Sequence, residues 1–117
     1  MSSNGLAAQY SKTITKDLVG KSATIKTSIK CTYDDTGVMR WIQRTPTFKV
    51  ASGLATNVII KQGVYTTYNE GNGIYGYYRS VSATYMYSNM SFNTNSELFW
   101  WEFDEKNPSK GLYERKN

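Results

Sequence analysis

The sequence predicts an all-β protein: a small antiparallel β-sandwich, or partly open barrel, of six to seven strands in a single domain. Three observations carry this. Residues 75–87 alternate strictly, with Tyr75, Tyr77, Arg79, Val81, Ala83, Tyr85 and Tyr87 on one parity and Tyr78, Ser80, Ser82, Thr84 and Met86 on the other. Such period-two patterning marks a strand with one face toward a core and one toward water. Residues 22–33 repeat the pattern. Clusters of Gly, Asn, Asp and Ser punctuate the chain at short intervals, as in antiparallel sheets joined by turns. A parallel sheet would instead show strands that are apolar throughout.

The elements follow in order. Residues 1–20 form a lead-in, with Thr13, Ile14 and Thr15 favouring a strand near 9–16. The spacing of Leu6, Tyr10, Ile14 and Leu18 offers a basic amphipathic helix with Lys12 and Lys16 as the alternative. In 22–33, Ala23, Ile25, Thr27, Ile29, Cys31 and Tyr33 form the inner face, with Lys26 and Lys30 outside. Asp34-Asp35-Thr36-Gly37 reads as a tight turn with Gly37 left-handed, which places Tyr33 opposite Met39. Met39 and Trp41 then point inward, and Arg40, Ile42 and Arg44 outward. Pro46 interrupts this strand, Phe48 and Val50 resume it, and Ser52-Gly53 turns.

Residues 56–68 read as one strand with Val58, Ile60, Val64 and Tyr68 on its apolar face. Matching that face to the tyrosine stretch requires Tyr68 opposite Gly73, with a four-residue loop, or opposite Tyr75, with a six-residue loop; Gly73 can take a bulge, which favours residues 69–72 as the loop. Asn89 marks a bulge or corner, 93–96 a turn, and 97–103 a final strand with Phe99, Trp101 and Phe103 on one side. The domain core spans 21–104, and 105–117 form a loose polar tail.

The chain has 117 residues, a net charge of +5, no His and one Cys. Without histidine there is no Ser-His-Asp, Cys-His or imidazole metal site, and a lone cysteine holds no zinc cluster. No phosphate-loop, dinucleotide or EF-hand pattern occurs. Asp34 pairs with Asp35, and Glu102, Asp104 and Glu105 follow one another closely, but neither group is set across an evident cleft as glycoside hydrolysis demands. The expectation is a protein that is not an enzyme and uses no cofactor or metal. Cys31 reads as a small buried hydrophobe.

Two binding surfaces are predicted instead. Lys26, Lys30, Arg40 and Arg44 project from one face of one hairpin, which suits an anionic polymer or an anionic membrane surface. The same charges also serve to keep an edge hairpin soluble. Tyr78 and Trp100, with Glu102 beside them, lie opposite the main apolar sets and read as exposed aromatics able to stack on a sugar ring. The leading expectation is therefore an extracellular or surface binding protein for an anionic envelope polymer or carbohydrate. Sequence-specific nucleic acid recognition is not expected. Two alternatives are a structural, self-associating component of a virion or cell-surface assembly, in which the aromatic faces make a homo-oligomer, and a membrane-active toxin or bacteriocin. The Ser-, Thr-, Asn- and Tyr-rich composition resembles that of exported bacterial and phage surface β-proteins. It predicts secretion or surface display after loss of a leader not present in this sequence, with a cytoplasmic location as the alternative.

Overall fold

The computed structural model describes residues 8–18, 23–34, 36, 38–50 and 53–116. Ten strands, β1 (Ala8–Leu18), β2 (Ala23–Tyr33), β3 (Met39–Gln43), β4 (Thr47–Val50), β5 (Thr56–Gln62), β6 (Thr66–Asn69), β7 (Ile74–Tyr87), β8 (Met90–Asn93), β9 (Glu97–Asp104) and β10 (Leu112–Glu114), form two antiparallel sheets. The all-β sandwich is as expected. Among the described residues the strand number exceeds six to seven because the stretches 39–50 and 56–69 are each broken once and because Leu112–Glu114 adds a strand.

Sheet A is built on β2, with β1 along one side and β3 and β4 in succession along the other. The break between β3 and β4 falls at Pro46, which has no N–H to give a ladder. Tyr33 pairs with Met39 and Cys31 with Trp41, the register read from the sequence. At the hairpin tip the Asp34 carboxylate accepts from the backbone N–H groups of Thr36 and Val38 and from the Thr36 hydroxyl. The expected left-handed Gly37 lies outside the described residues. β1 pairs with β2 along its whole length. Residues 8–18 of the lead-in are therefore a strand, and the helical alternative is overturned: Lys12, Ile14 and Lys16 share the face opposite Ile29, Thr27 and Ile25, and of the three Ile14 alone is buried.

Sheet B is built on β7. β9 and β8 lie along one side, β6 and β5 along the other, and β10 beyond β9. Three expectations change here. First, 56–68 is not one strand. Gln62 pairs with Val81 but Thr66 pairs with Tyr78, so one extra residue is inserted at 63–65. A one-residue insertion flips every later side chain to the other face. Tyr68 therefore lies opposite Gly76 on the outer face instead of opposite Gly73, and the Glu70 N–H closes on the Ile74 carbonyl, leaving 71–73 as the loop in place of 69–72. Gly71 and Gly73 there carry positive φ. A second irregularity at Asn57 (φ 52°) turns Val58 partly outward, and Val64 is 93% exposed, so only Ile60 of the expected trio packs on the core.

Second, Ser88 and Asn89 both have positive φ and form a two-residue hairpin turn between Tyr87 and Met90, not a corner. Third, 93–96 does not turn the chain back. Thr94 keeps β8 and β9 on the same side of β7: its N–H donates to the Ala83 carbonyl and its hydroxyl accepts from the Ala83 N–H at 2.8 Å. The expected loose tail is also part of the fold. A 3-10 turn at Pro108–Lys110 leads into β10, whose Leu112 is buried opposite Phe103.

The core lies between the sheets. Ile14, Ile25, Ile29 and Cys31 meet Tyr77, Val81, Ala83, Phe99, Trp101 and Phe103. Phe99, Trp101 and Phe103 are fully buried, and truncating any one of them to Ala would cost about 3–5 kcal/mol. One long side of the sandwich is closed. There the Trp101 indole N–H donates to the Lys12 carbonyl at 3.0 Å, and Lys16 Nζ lies 3.7 Å from Glu114. Along the other side β3 faces the 63–65 insertion, and a cleft opens between the sheets.

Candidate functional site

The cleft has a volume of about 460 Å³. Sheet A supplies Trp41, Gln43, Arg44 and Thr45; sheet B supplies Gln62, Tyr65, Thr67, Tyr77 and Arg79. Three rings line it. Trp41 and Tyr77 have centroids 5.7 Å apart, and Tyr65 stacks on Tyr77 at 5.2 Å with 12° between planes. The residue insertion at 63–65 is what brings Tyr65 and Thr67 to this side, opposite the inner face of β7.

Arg79 is the unusual member. It sits in an otherwise apolar row of β7, half-buried, and spans the opening. Its Nε donates to the Gly63 carbonyl at 2.9 Å, and its terminal nitrogens donate to the same carbonyl and to Gln43 Oε1. Gln43 Oε1 also accepts from the Tyr77 hydroxyl at 2.7 Å, and Gln43 Nε2 donates to Thr27 Oγ1 at 3.3 Å. The guanidinium lies 5.7 Å from the Tyr65 ring centroid. Every hydrogen-bond acceptor of Arg79 is neutral, and among the described residues no carboxylate forms an ion pair with it. None of the nine lining residues is acidic. Burial holds the Tyr77 hydroxyl above its usual pKa, opposed by the nearby Arg79 charge.

Chemically, the cleft offers planar rings for stacking, amides and hydroxyls for polar contacts, and two guanidinium groups for an anion. It holds no general acid–base pair. Among the described residues no His, Cys, Asp or Glu cluster can hold a metal.

The basic ladder is brought to one face, as the register predicts. Lys30 pairs opposite Ile42, Arg40 opposite Thr32, Lys26 opposite Thr47, and Arg44 donates its N–H to Ser28. Only Arg44 also reaches the cleft. Arg40 lies at the tip near Asp34, whose carboxyl is held below its usual range by the Thr36 hydroxyl first and by Arg40 last.

Tyr78, Trp100 and Glu102 are also brought together, on the outer face of sheet B, but not as exposed aromatics. Tyr78 and Trp100 are half-buried, with centroids 5.1 Å apart, and Arg115 lies 4.2 Å over the Trp100 ring. Glu102 is buried. Its carboxylate accepts from Tyr68, from Tyr113 at 3.3 Å and from Arg115 at 3.2 Å, and the Trp100 indole donates to Tyr68 at 2.8 Å. The β6 parity flip supplies Tyr68 and the ordered C-terminal strand supplies Tyr113; neither was foreseen. Glu102 is thus occupied within the fold.

The cleft itself was missed in the sequence. Its one available signal was Arg79, a cation in the middle of an apolar face, where an inward charge is the informative exception. No protein-family model, no curated protein and no solved structure matches the chain.

Proposed function

We propose that this chain is a non-enzymatic binding protein, acting at a cell surface or outside the cell, that holds an anionic carbohydrate in the cleft between its sheets. The observation that supports this most is Arg79: a half-buried guanidinium with no carboxylate partner among the described residues, beside three aromatic rings. A partly desolvated cation is costly unless it is paired, and a ligand anion would complete the pairing. Arg44 brings a second guanidinium to the same cleft. Gln43, Thr45, Gln62 and Thr67 outnumber the cations in the lining, which favours a polyhydroxylated ligand over a bare phosphate chain.

The test is a titration of intrinsic tryptophan fluorescence with oligogalacturonate, sulfated oligosaccharide and poly(glycerol phosphate). Saturable binding of at least one is expected, weakening steeply with added salt. Trp41→Ala and Arg44→Gln should abolish or strongly reduce it, whereas Trp100→Phe should leave affinity unchanged. Failure of every anionic carbohydrate to bind, or tighter binding of oligodeoxythymidylate than of any of them, would overturn the reading.

A second reading, self-association, is favoured by the free edge of sheet B. Ile59 of β5 is 59% exposed, and Leu54 and Val64 on either side of that strand are 89% and 93% exposed; the outer edge of β5 pairs with no other strand among the described residues. Sedimentation at high concentration tests it, a strict monomer counting against it.

A further inference from the structure

We infer that the cleft is one end of a longer track, and that the ligand is a polymer chain carrying repeated anionic groups, not a free short saccharide. This rests on the carbohydrate reading of the cleft and extends it. Arg44 lines the cleft, and it also lines a second groove of about 370 Å³ with Gln9, Ser11, Thr13, Ser28 and Lys30. Its place in the sheet explains the double role. β3 ends at Gln43, and Arg44 follows, its N–H on the Ser28 carbonyl, at the edge of sheet A where the chain breaks before Pro46. From that edge its side chain borders both the inner cleft and the outer face.

The outer face continues the line. Ser11, Thr13, Ser28 and Lys30 are neighbours by register, and the Thr13 and Ser28 hydroxyls are 2.6 Å apart. Arg44 stands across from Ser28, so on this face Lys30 lies two residues along β2 to one side of it and Lys26 two residues to the other, each about 7 Å away at strand spacing. The path from Arg79 through Arg44 thus opens onto the outer face between Lys30 and Lys26, and four cations lie on or beside it. Neither groove has an acidic residue in its lining. Among the described residues, none of the four forms a salt bridge. Of the described acidic groups of this face, Asp17 pairs opposite Thr24, two residues from Lys26, and Asp34 sits at the other end of β2 beside Arg40. A short ligand filling the cleft would leave Lys30 and Lys26 without an anion. A chain leaving the cleft past Arg44 emerges between them, within reach of both, with the Ser28 and Thr13 hydroxyls there to meet its own.

The experiment compares a galacturonate trimer with a long oligogalacturonate, by calorimetry on the full chain. The wild type is expected to bind the long chain at least about tenfold more tightly, equivalent to about 1.4 kcal/mol. Lys26→Gln combined with Lys30→Gln should remove most of that advantage and leave trimer affinity unchanged. Arg40→Gln, on the same face but outside both grooves, should change neither affinity. The inference is overturned if the double variant binds the long chain as the wild type does, if chain length has no effect, or if Arg40→Gln weakens the long chain as much as the double variant, which would mean diffuse charge attraction. In each of these cases trimer binding that still depends on Trp41 leaves the cleft reading intact. Failure of both saccharides to bind the wild type sinks the cleft reading for uronates as well.

Discussion

The Tyr68 ring lies across Gly76, its partner on the neighbouring strand, so closely that a Cβ added at Gly76 would overlap the Tyr68 Cζ. The ring cannot move aside freely. Its hydroxyl donates to Glu102 and accepts from the Trp100 indole. A glycine within a strand generally costs stability, and its presence in β7 is explained by this close approach.

Gly76→Ala should therefore destabilise the fold by about 1–3 kcal/mol, as overpacking does. In a Tyr68→Ala background the sign should reverse. There the ring is gone, and Ala in place of Gly in a strand gains about 0.5–1 kcal/mol. Urea denaturation of the four proteins of the cycle measures both values. A Gly76→Ala penalty that persists without Tyr68 would show that the ring is not its cause.

Glu102 is the hub beneath that ring. Its buried carboxylate takes hydrogen bonds from β6, β10 and Arg115 and so ties the C-terminal segment to the sheet. Glu102→Gln keeps the shape but replaces an anionic acceptor with a neutral amide that brings two donors of its own. The expected loss is about 1.5–3 kcal/mol. Amide hydrogen exchange should show the loosening first at Leu112–Glu114. Uniform loss of protection across both sheets would instead mean that Glu102 does not act on the C-terminal strand in particular.

Tyrosines make the stability sensitive to alkali. The Tyr33 hydroxyl is pushed up to about 12, chiefly by its hydrogen bond to Glu105 and then by burial. That of Tyr113 is pushed up to about 12 chiefly by burial, with the Glu102 charge adding to it. In the unfolded chain both ionise near 10. The unfolded state thus releases protons first as pH rises, and stability falls with pH in that range. Their contribution should be intact below about pH 10 and lost progressively as pH rises to about 12. Phenolate absorbance should show a late-ionising subset, and Glu105→Gln should bring Tyr33 down. A titration in which all tyrosines ionise together near 10 would contradict this.

The parts of the fold that were legible in the sequence are those governed by period two alone. β2, β7 and β9 alternate without interruption, and the β2–β3 register follows from Asp34 and from the parity of Cys31, Tyr33, Met39 and Trp41. The misread parts are single-residue insertions. The extra residue at 63–65 has no strong turn signal beyond Gly63, yet it reverses the faces of Thr66–Asn69. That one insertion hides the cleft, because it delivers Tyr65 and Thr67 to one side and Tyr68 to the other. The tail misled for another reason. Residues 112–114 are too short to show alternation, and only the burial of Leu112 against the finished sheet makes them a strand.

Thr94 offers the sharpest test of how such a break is tolerated. At this point β8 gives way to β9, and the Ala83 N–H of β7 would lose its partner. The Thr94 hydroxyl accepts that N–H at 2.8 Å and donates its own O–H to the Asn95 carbonyl at 3.0 Å, in a buried setting. Thr94→Val preserves shape but cannot accept, so the Ala83 N–H is left buried and unsatisfied, at a cost of about 1–3 kcal/mol. Thr94→Ser keeps the acceptor and should lose much less, through the missing methyl alone. The pair of substitutions separates the hydrogen bond from the packing, because valine fills the site and serine does not. Thermal denaturation with the order wild type, Thr94→Ser, Thr94→Val is the expected result. If Thr94→Val is as stable as the wild type, the hydroxyl is not what spans the break, and the Thr94 N–H donating to the Ala83 carbonyl is sufficient to hold β8 and β9 in line.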